Sequence, residues 1–186
     1  SGAGGGAKVN GNIIIDGINV VLSGLYYSLN TTITSKKATT TVYGTAKDDN
    51  IQVELEDSSL EVISGDGQDN IHVTGKGGAK QKIDLDGGGG SDVYTVDVST
   101  ESTVNIADKD GGRLHLTGDL KENSNPTGSY DSTKQKAELE LINSTGKILK
   151  IFTDGVTAFT DELKNKKQIE IKKSDLKSGI YDAGNI

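Results

Sequence analysis

The chain predicts an all-β fold, a parallel β-roll or β-solenoid with an N-terminal cap and a C-terminal β-hairpin capping region. Three observations carry this reading. One turn chemistry recurs in Gly44-Thr45-Ala46-Lys47-Asp48-Asp49-Asn50-Ile51, Ser64-Gly65-Asp66-Gly67-Gln68-Asp69-Asn70-Ile71 and Gly87-Gly88-Gly89-Gly90-Ser91-Asp92-Val93-Tyr94. The steps from Asp49 to Asp69 and from Asp69 to Asp92 are 20 and 23 residues, the period of one coil laid on another. After each turn, apolar and polar residues alternate as a half-buried strand requires.

The alternation defines two apolar rows per coil. Ile51, Ile71, Tyr94 and Leu114 begin one, with Val53, Val73, Val96 and Leu116 two residues further on. Gln52, His72, Thr95 and His115 lie between and face outward. The facing row comes from Leu60/Val62, Ile83/Leu85 and Val104/Ile106. No single short strand buries its apolar face alone, but two stacks facing each other bury both.

Four segments follow from composition. Residues 1–7, rich in Gly, read as a linker, and the chain is expected to be a piece of a longer protein. Residues 8–43 hold apolar runs without the Asp-bearing turn and are expected to form an N-terminal β cap over the first coil. Residues 44–118 are the repeats. Residues 119–186, opened by the polar run around Pro126, are expected to form a β-rich capping region. Its strands are 137–142, 147–152 and 168–171, with Thr160-Asp161-Glu162-Leu163-Lys164-Asn165 expected to cap and begin a short helix.

The turns resemble the calcium-binding nonapeptide of bacterial RTX (repeats-in-toxin) proteins, G-G-x-G-x-D-x-U-x. The turn from Gly87 fills every fixed slot, and that from Ser64 lacks only the first Gly. The turn from Gly44 keeps the first Gly, the Asp and the apolar slot. The resemblance implies a calcium-binding β-roll in which glycines turn carbonyl oxygens toward the ion and the Asp completes its shell. Carried onto this chain, the metal-binding residues are Asp49, Gly65, Asp66, Gly67, Asp69, Gly87, Gly88, Gly90, Asp92 and Asp110, with Ca2+ as the cofactor. The opposite turns Glu56-Asp57-Ser58-Ser59, Lys76-Gly77-Gly78-Ala79-Lys80 and Ser99-Thr100-Glu101-Ser102 depart from the pattern, so only one edge is expected to bind. The fourth turn has Gly112 in the Asp slot, with Asp108 and Asp110 nearby.

Composition bounds the rest. The chain has 186 residues, 32% of them hydrophobic, with two Phe and no Trp, which fits a narrow core of Val, Ile and Leu. Cysteine is absent, so there is neither a disulfide framework nor a thiolate site. A net charge of −7, with Arg113 the only arginine, opposes nucleic-acid binding, and no run is long enough to span a membrane as a helix. Catalysis has thin support. His72 and His115 fall in outward slots two coils apart, about 9–10 Å at the strand spacing, too far to share a metal. A lyase or epimerase on a parallel β-helix is the enzymatic alternative; it would draw on Lys47, Lys109 or Arg113, and nothing singles these out. The sequons at Asn30 and Asn143 are pattern matches only. The expectation is a non-catalytic calcium-binding module of a secreted or cell-surface bacterial protein, of adhesin, surface-layer or toxin type. Its partners would be calcium, other domains of the parent protein or a cell-surface glycan. A metal-free structural stalk is the remaining alternative.

Overall fold

Backbone pairing at a fixed coil step dictates the architecture, because parallel strands in register stack residues of the same slot. The computed structural model describes residues 8–76, 82–167, 170–173 and 180–181. The linker reading of 1–7, the turn after Lys76 as far as Lys80, and residues 168–169 of the last expected strand lie outside them. The strands are β1 (Lys8–Asp16), β2 (Val20–Ser23), β3 (Ser28–Lys36), β4 (Thr39–Tyr43), β5 (Asn50–Glu56), β6 (Ser59–Ile63), β7 (Asn70–Gly75) and β8 (Ile83–Asp86). There follow β9 (Val93–Asp97), a 3-10 turn (Val98–Thr100), β10 (Thr103–Ser124), β11 (Thr127–Asp131), β12 (Lys136–Ile142), β13 (Ile148–Lys166), β14 (Glu170–Lys173) and β15 (Ile180–Tyr181). No α-helix occurs among the described residues.

The strands wind a parallel β-solenoid of about five turns. β1, β3, β5, β7 and β9 stack along one wall, and β2, β4, β6 and β8 along the other. β10 serves both walls, pairing with β8 through Val104–Ala107 and with β9 through Arg113–Thr117. β13 lies parallel to both halves of β10 and forms the next coil.

The rows read from sequence meet as expected. Ile51 opposes Ile71, Ile71 opposes Tyr94, and Tyr94 opposes Leu114. Leu60, Ile83 and Val104 form the facing ladder. All seven are buried. Tyr94 takes the inward slot and leaves Val93 half-buried against Asn70, so the register does not slip by one.

Two expectations change. Residues 8–43, expected as a cap, wind as two more coils of the same solenoid: Lys8 opposes Ser28, Asn30 opposes Asn50, and Thr40 opposes Leu60. Their inward slots include Thr31, Ser35 and Thr40, buried polar residues that hide the apolar alternation. The Ser35 and Thr40 hydroxyls satisfy each other at 3.0 Å inside the core. The expected helix at 160–165 is instead strand, because residues 156–164 of β13 pair with Gly112–Asp119 of β10 and that ladder outweighs the local capping pattern.

The C-terminal end is closed by a hairpin. β12 runs antiparallel to the first half of β13, and β11 antiparallel to β12. From β11, Tyr130 meets Phe159 edge-on with ring centroids 5.3 Å apart, covering the last rung of the row that begins at Ile51.

Truncating the centre of that row tests the core. Ile71→Ala should cost about 2–5 kcal/mol, whereas Ile14→Ala, at a position 81% exposed, should stay within about 0.5 kcal/mol. Urea unfolding midpoints read both, and equal losses would contradict the assignment.

Candidate functional site

The Gly and Asp turns stack on one edge, joined coil to coil by backbone hydrogen bonds. Asn70 N donates to Asp49 O at 2.8 Å, Val93 N to Asp69 O at 2.9 Å, and Arg113 N to Asp92 O at 2.8 Å. This register places Asp49, Asp69 and Asp92 in one column. Their carboxylates point inward, and each residue is no more than 2% exposed. Each Oδ1 accepts a backbone N–H from the preceding coil: Leu29 N to Asp49 at 2.7 Å, Asp49 N to Asp69 at 2.7 Å, and Asp69 N to Asp92 at 2.8 Å. The column is therefore a chain of charge-assisted rungs.

The second oxygens differ from coil to coil. Asp49 is fully engaged, since Thr45 donates its N–H to Oδ2 at 2.7 Å and its hydroxyl to Oδ1 at 2.8 Å. Asp69 Oδ2 and Asp92 Oδ2 are buried without a hydrogen-bond partner. Burial pushes the Asp69 carboxyl up to about 7; the N–H of Asp49 and the nearby Ser64 hydroxyl work against this, and the Asp49 and Asp48 charges add to it. Burial pushes Asp92 up to about 8, with Asp108 adding to it and the N–H of Asp69 opposing.

The glycines have a steric role. Gly65, Gly67, Gly88 and Gly90 all take left-handed φ. A Cβ on Gly65 would stand 2.7 Å from Thr45 O, and one on Gly88 would stand 2.5 Å from Gly65 O. Carbonyl oxygens of each turn thus face the Cα atoms of the next, where only glycine fits. Gly87 is buried, and a Cβ there would strike Asp92 Oδ2 and Tyr94 Oη.

The remaining predicted residues lie on the surface of the same edge. Asp66 and Asp110 are exposed and flank Gly89 from the coils on either side; a Cβ on Gly89 would be 2.6 Å from Asp66 Oδ1 and 3.8 Å from Asp110 Oδ2. Asp110 Oδ2 accepts Gly90 N at 2.7 Å, and Asp48 Oδ1 accepts Gln68 N at 2.7 Å. Sequence reasoning passed over Asp48 as part of the edge, although the Asp48-Asp49 doublet offered the signal. It noted Asp108 beside the fourth turn without assigning it to the site; the residue is buried and sits where a side chain on Gly112 would be, 2.6 Å from its Cβ position. Glycine in the Asp slot with an acid four residues earlier was the clue.

Among the described residues no group of three or more acidic, His or Cys side chains converges to hold an ion. A cation on this edge would therefore draw on carbonyl oxygens and one or two carboxylates. The donor set fits a hard cation on that basis: two buried carboxylate oxygens lack partners, and backbone carbonyl oxygens line the stacked turns beside them.

Other candidates are occupied otherwise. His72 and His115 share an outward row two coils apart, separated by Thr95. His115 meets Thr160 Oγ1 at 2.7 Å through Nδ1 and Glu162 Oε2 at 3.3 Å through Nε2. Burial pulls His72 below its ordinary pKa, Asp97 opposing and His115 adding to the fall. Asn143 is buried and donates to Glu101 Oε1 at 2.9 Å, so its amide is engaged. A groove of about 490 Å³ crosses the outer face of β6, β8 and β10 beneath β12 and β13, with Lys136 and Phe152 on its wall. Lys136 lies 3.7 Å from Asp154.

Compared with protein-family models, curated proteins and solved structures, the chain matches none.

The buried acids make stability depend on pH in a defined direction. Asp69 and Asp92 bind protons more tightly folded than unfolded, where such groups titrate near 3.8. Without metal, the stability they contribute is full below about pH 4, falls as pH rises through the folded values, and levels off above about pH 8. The chelated protein should melt lower at about pH 8.5 than at about pH 5, and Asp69→Asn with Asp92→Asn should flatten the profile. A profile unchanged by the double variant would refute the assignment.

Proposed function

We propose that this chain is a non-catalytic structural module whose Gly-Asp edge is closed by calcium, from a secreted or cell-surface bacterial protein of the RTX-like kind. The observation that carries the reading is the pair of buried, unpartnered oxygens, Asp69 Oδ2 and Asp92 Oδ2, set in stacked turns that follow the nonapeptide pattern. Two ionised carboxylates buried without compensation are costly, and a divalent cation offsets their charge where water is excluded. Asp69 and Asp92 would hold it with carbonyl oxygens of 64–67 and 87–90. Calcium supplies charge neutralisation and a flexible oxygen shell, and it acts as folding energy because the turns are assembled only in the folded coil. Extracellular calcium is high enough for weak sites, which motivates the secreted or surface location. The parent would be of adhesin, surface-layer or toxin type, with its other domains or a surface glycan as further partners.

A second reading, a metal-free stalk, has its own support. Each Oδ1 already accepts a backbone N–H from the coil before it, so the acids have a structural role with or without an ion. Protons on Asp69 and Asp92 would then replace the metal. The enzymatic alternative is the weaker one: the lysine of the groove, Lys136, is paired with Asp154 at 3.7 Å, and none of Lys47, Lys109 and Arg113 lines that groove.

Calcium added to chelated protein at about pH 8 should raise the melting temperature, with a dissociation constant on the order of 10⁻⁴–10⁻³ M as in extracellular modules. Magnesium should not substitute, since it demands a tight octahedral shell. Asp69→Ala should shrink the calcium-induced shift. Calorimetric melting and titration read all three, and absence of any calcium shift in the unaltered chain would favour the metal-free stalk.

A further inference from the structure

The geometry points to an inner cation site at the third and fourth Gly-Asp turns, built from Asp92, Tyr94 and Asp108, which close in on Gly87 because it has no side chain. This site is one of the calcium sites of the preceding reading and stands only if that reading stands. It is nevertheless made of different residues, because neither Asp108 nor Tyr94 belongs to the Gly and Asp slots of the turn pattern.

Two side-chain oxygens crowd against Gly87, and a third joins them through Tyr94. Asp92 Oδ2 is buried without a partner, in a residue 1% exposed. A Cβ on Gly87 would touch both this atom and Tyr94 Oη. Tyr94 Oη in turn donates to Asp108 Oδ2 at 2.9 Å and lies 3.1 Å from Ala107 O. Asp108 arrives by an unusual route. Gly112 fills the slot that holds Asp in the earlier turns, and its missing side chain leaves room for Asp108, whose Oδ2 stands 2.6 Å from a Cβ built there. The N–H of Asp110 fixes the other oxygen at 2.9 Å. The fourth coil thereby regains a buried carboxylate, supplied from the beginning of its turn.

The chemistry selects the ligand. Two carboxylates, a phenol and a backbone carbonyl are all oxygen donors, which suits a hard divalent cation and excludes soft metals. The earlier turns lack this arrangement. Thr45 satisfies Asp49, and Ser64 stands where Gly87 opens the third turn.

Terbium, a luminescent stand-in for calcium, tests the site through its own tyrosine. The chain has no tryptophan, so excitation in the aromatic band reaches terbium only from tyrosine. Unaltered protein at about pH 8 should show saturable terbium emission displaced by calcium. Tyr94→Phe should abolish the emission, Asp108→Asn should weaken terbium binding, and Gly87→Ala should block it by pushing Asp92 Oδ2 and Tyr94 Oη apart. If these variants do not fold, the unaltered protein still decides: a buried ion gives nearly equal emission lifetimes in H₂O and D₂O. A much shorter lifetime in H₂O would place the ion on the exposed Asp48, Asp66 and Asp110 and overturn the inner site. Emission that survives in Tyr94→Phe would overturn it equally. A calcium-induced rise in melting temperature without tyrosine-sensitised emission would sink this inference alone, whereas absence of both would sink the calcium reading with it.

Discussion

The bond on which the Gly-Asp edge depends runs from a backbone N–H in one coil to a buried carboxylate in the next. A parallel solenoid pairs its strands through the main chain, but at each corner the chain turns and the ladder is interrupted. On this edge the carboxylates of Asp49, Asp69 and Asp92 take the N–H groups of Leu29, Asp49 and Asp69. An aspartate fits because its short side chain reaches one strand spacing and accepts two bonds. Because acceptor and donor lie one coil apart, the bond also fixes register, and register decides which side chains enter the core. The rows at Ile51 and Leu60 are as much a consequence of this corner as of their own hydrophobicity.

The same bond creates the edge's difficulty. An acceptor column placed inside a narrow solenoid takes its negative charges out of water. Asp49 has help from Thr45, which supplies both a backbone and a hydroxyl donor. In the next two turns, glycine replaces that threonine, the hydroxyl is lost, and an oxygen remains unmatched on Asp69 and on Asp92. Glycine is required there by the left-handed φ and by the carbonyl oxygen of the turn beneath. The feature that lets the turns stack closely is thus the one that leaves the acids uncompensated, and any species that binds them, proton or cation, is coupled to stacking.

The middle of the fold was legible because its signals are local and repeat. Ile51, Ile71, Tyr94 and Leu114 each follow a turn at the same offset and alternate with polar residues, so period and strand phase agree. The first two coils were illegible for a physical reason: Thr31, Ser35 and Thr40 occupy inward slots, and a hydroxyl paired inside the core looks like surface in a sequence. The segment after Phe159 was misread because Thr160 to Asn165 has the local pattern of a capped helix, while its partner in β10 lies about 45 residues away. At the site, the Asp column could be placed from the repeat. Its inward direction could not, since the turn pattern is the same whether a carboxylate faces solvent, an ion or a neighbouring N–H. Asp108, noted beside the fourth turn, could not be assigned because it reaches the column from a different slot.

On the calcium reading a proton and a cation compete for the same oxygens, and this competition separates that reading from the metal-free stalk. With folded pKa values raised to about 7 and about 8, Asp69 and Asp92 are largely protonated in acid and stable there without metal. As pH rises the protons leave, and the buried charge must be met by something else or the turns loosen. A divalent ion binds the ionised form, so its affinity must strengthen as pH rises through the same interval in which the metal-free protein weakens. A stalk held by protons alone would weaken across that interval whatever the calcium concentration. On the calcium reading, the burial of two aspartates makes pH and calcium linked variables at one edge of the solenoid, and the sign of the linkage follows from which oxygens lack a partner.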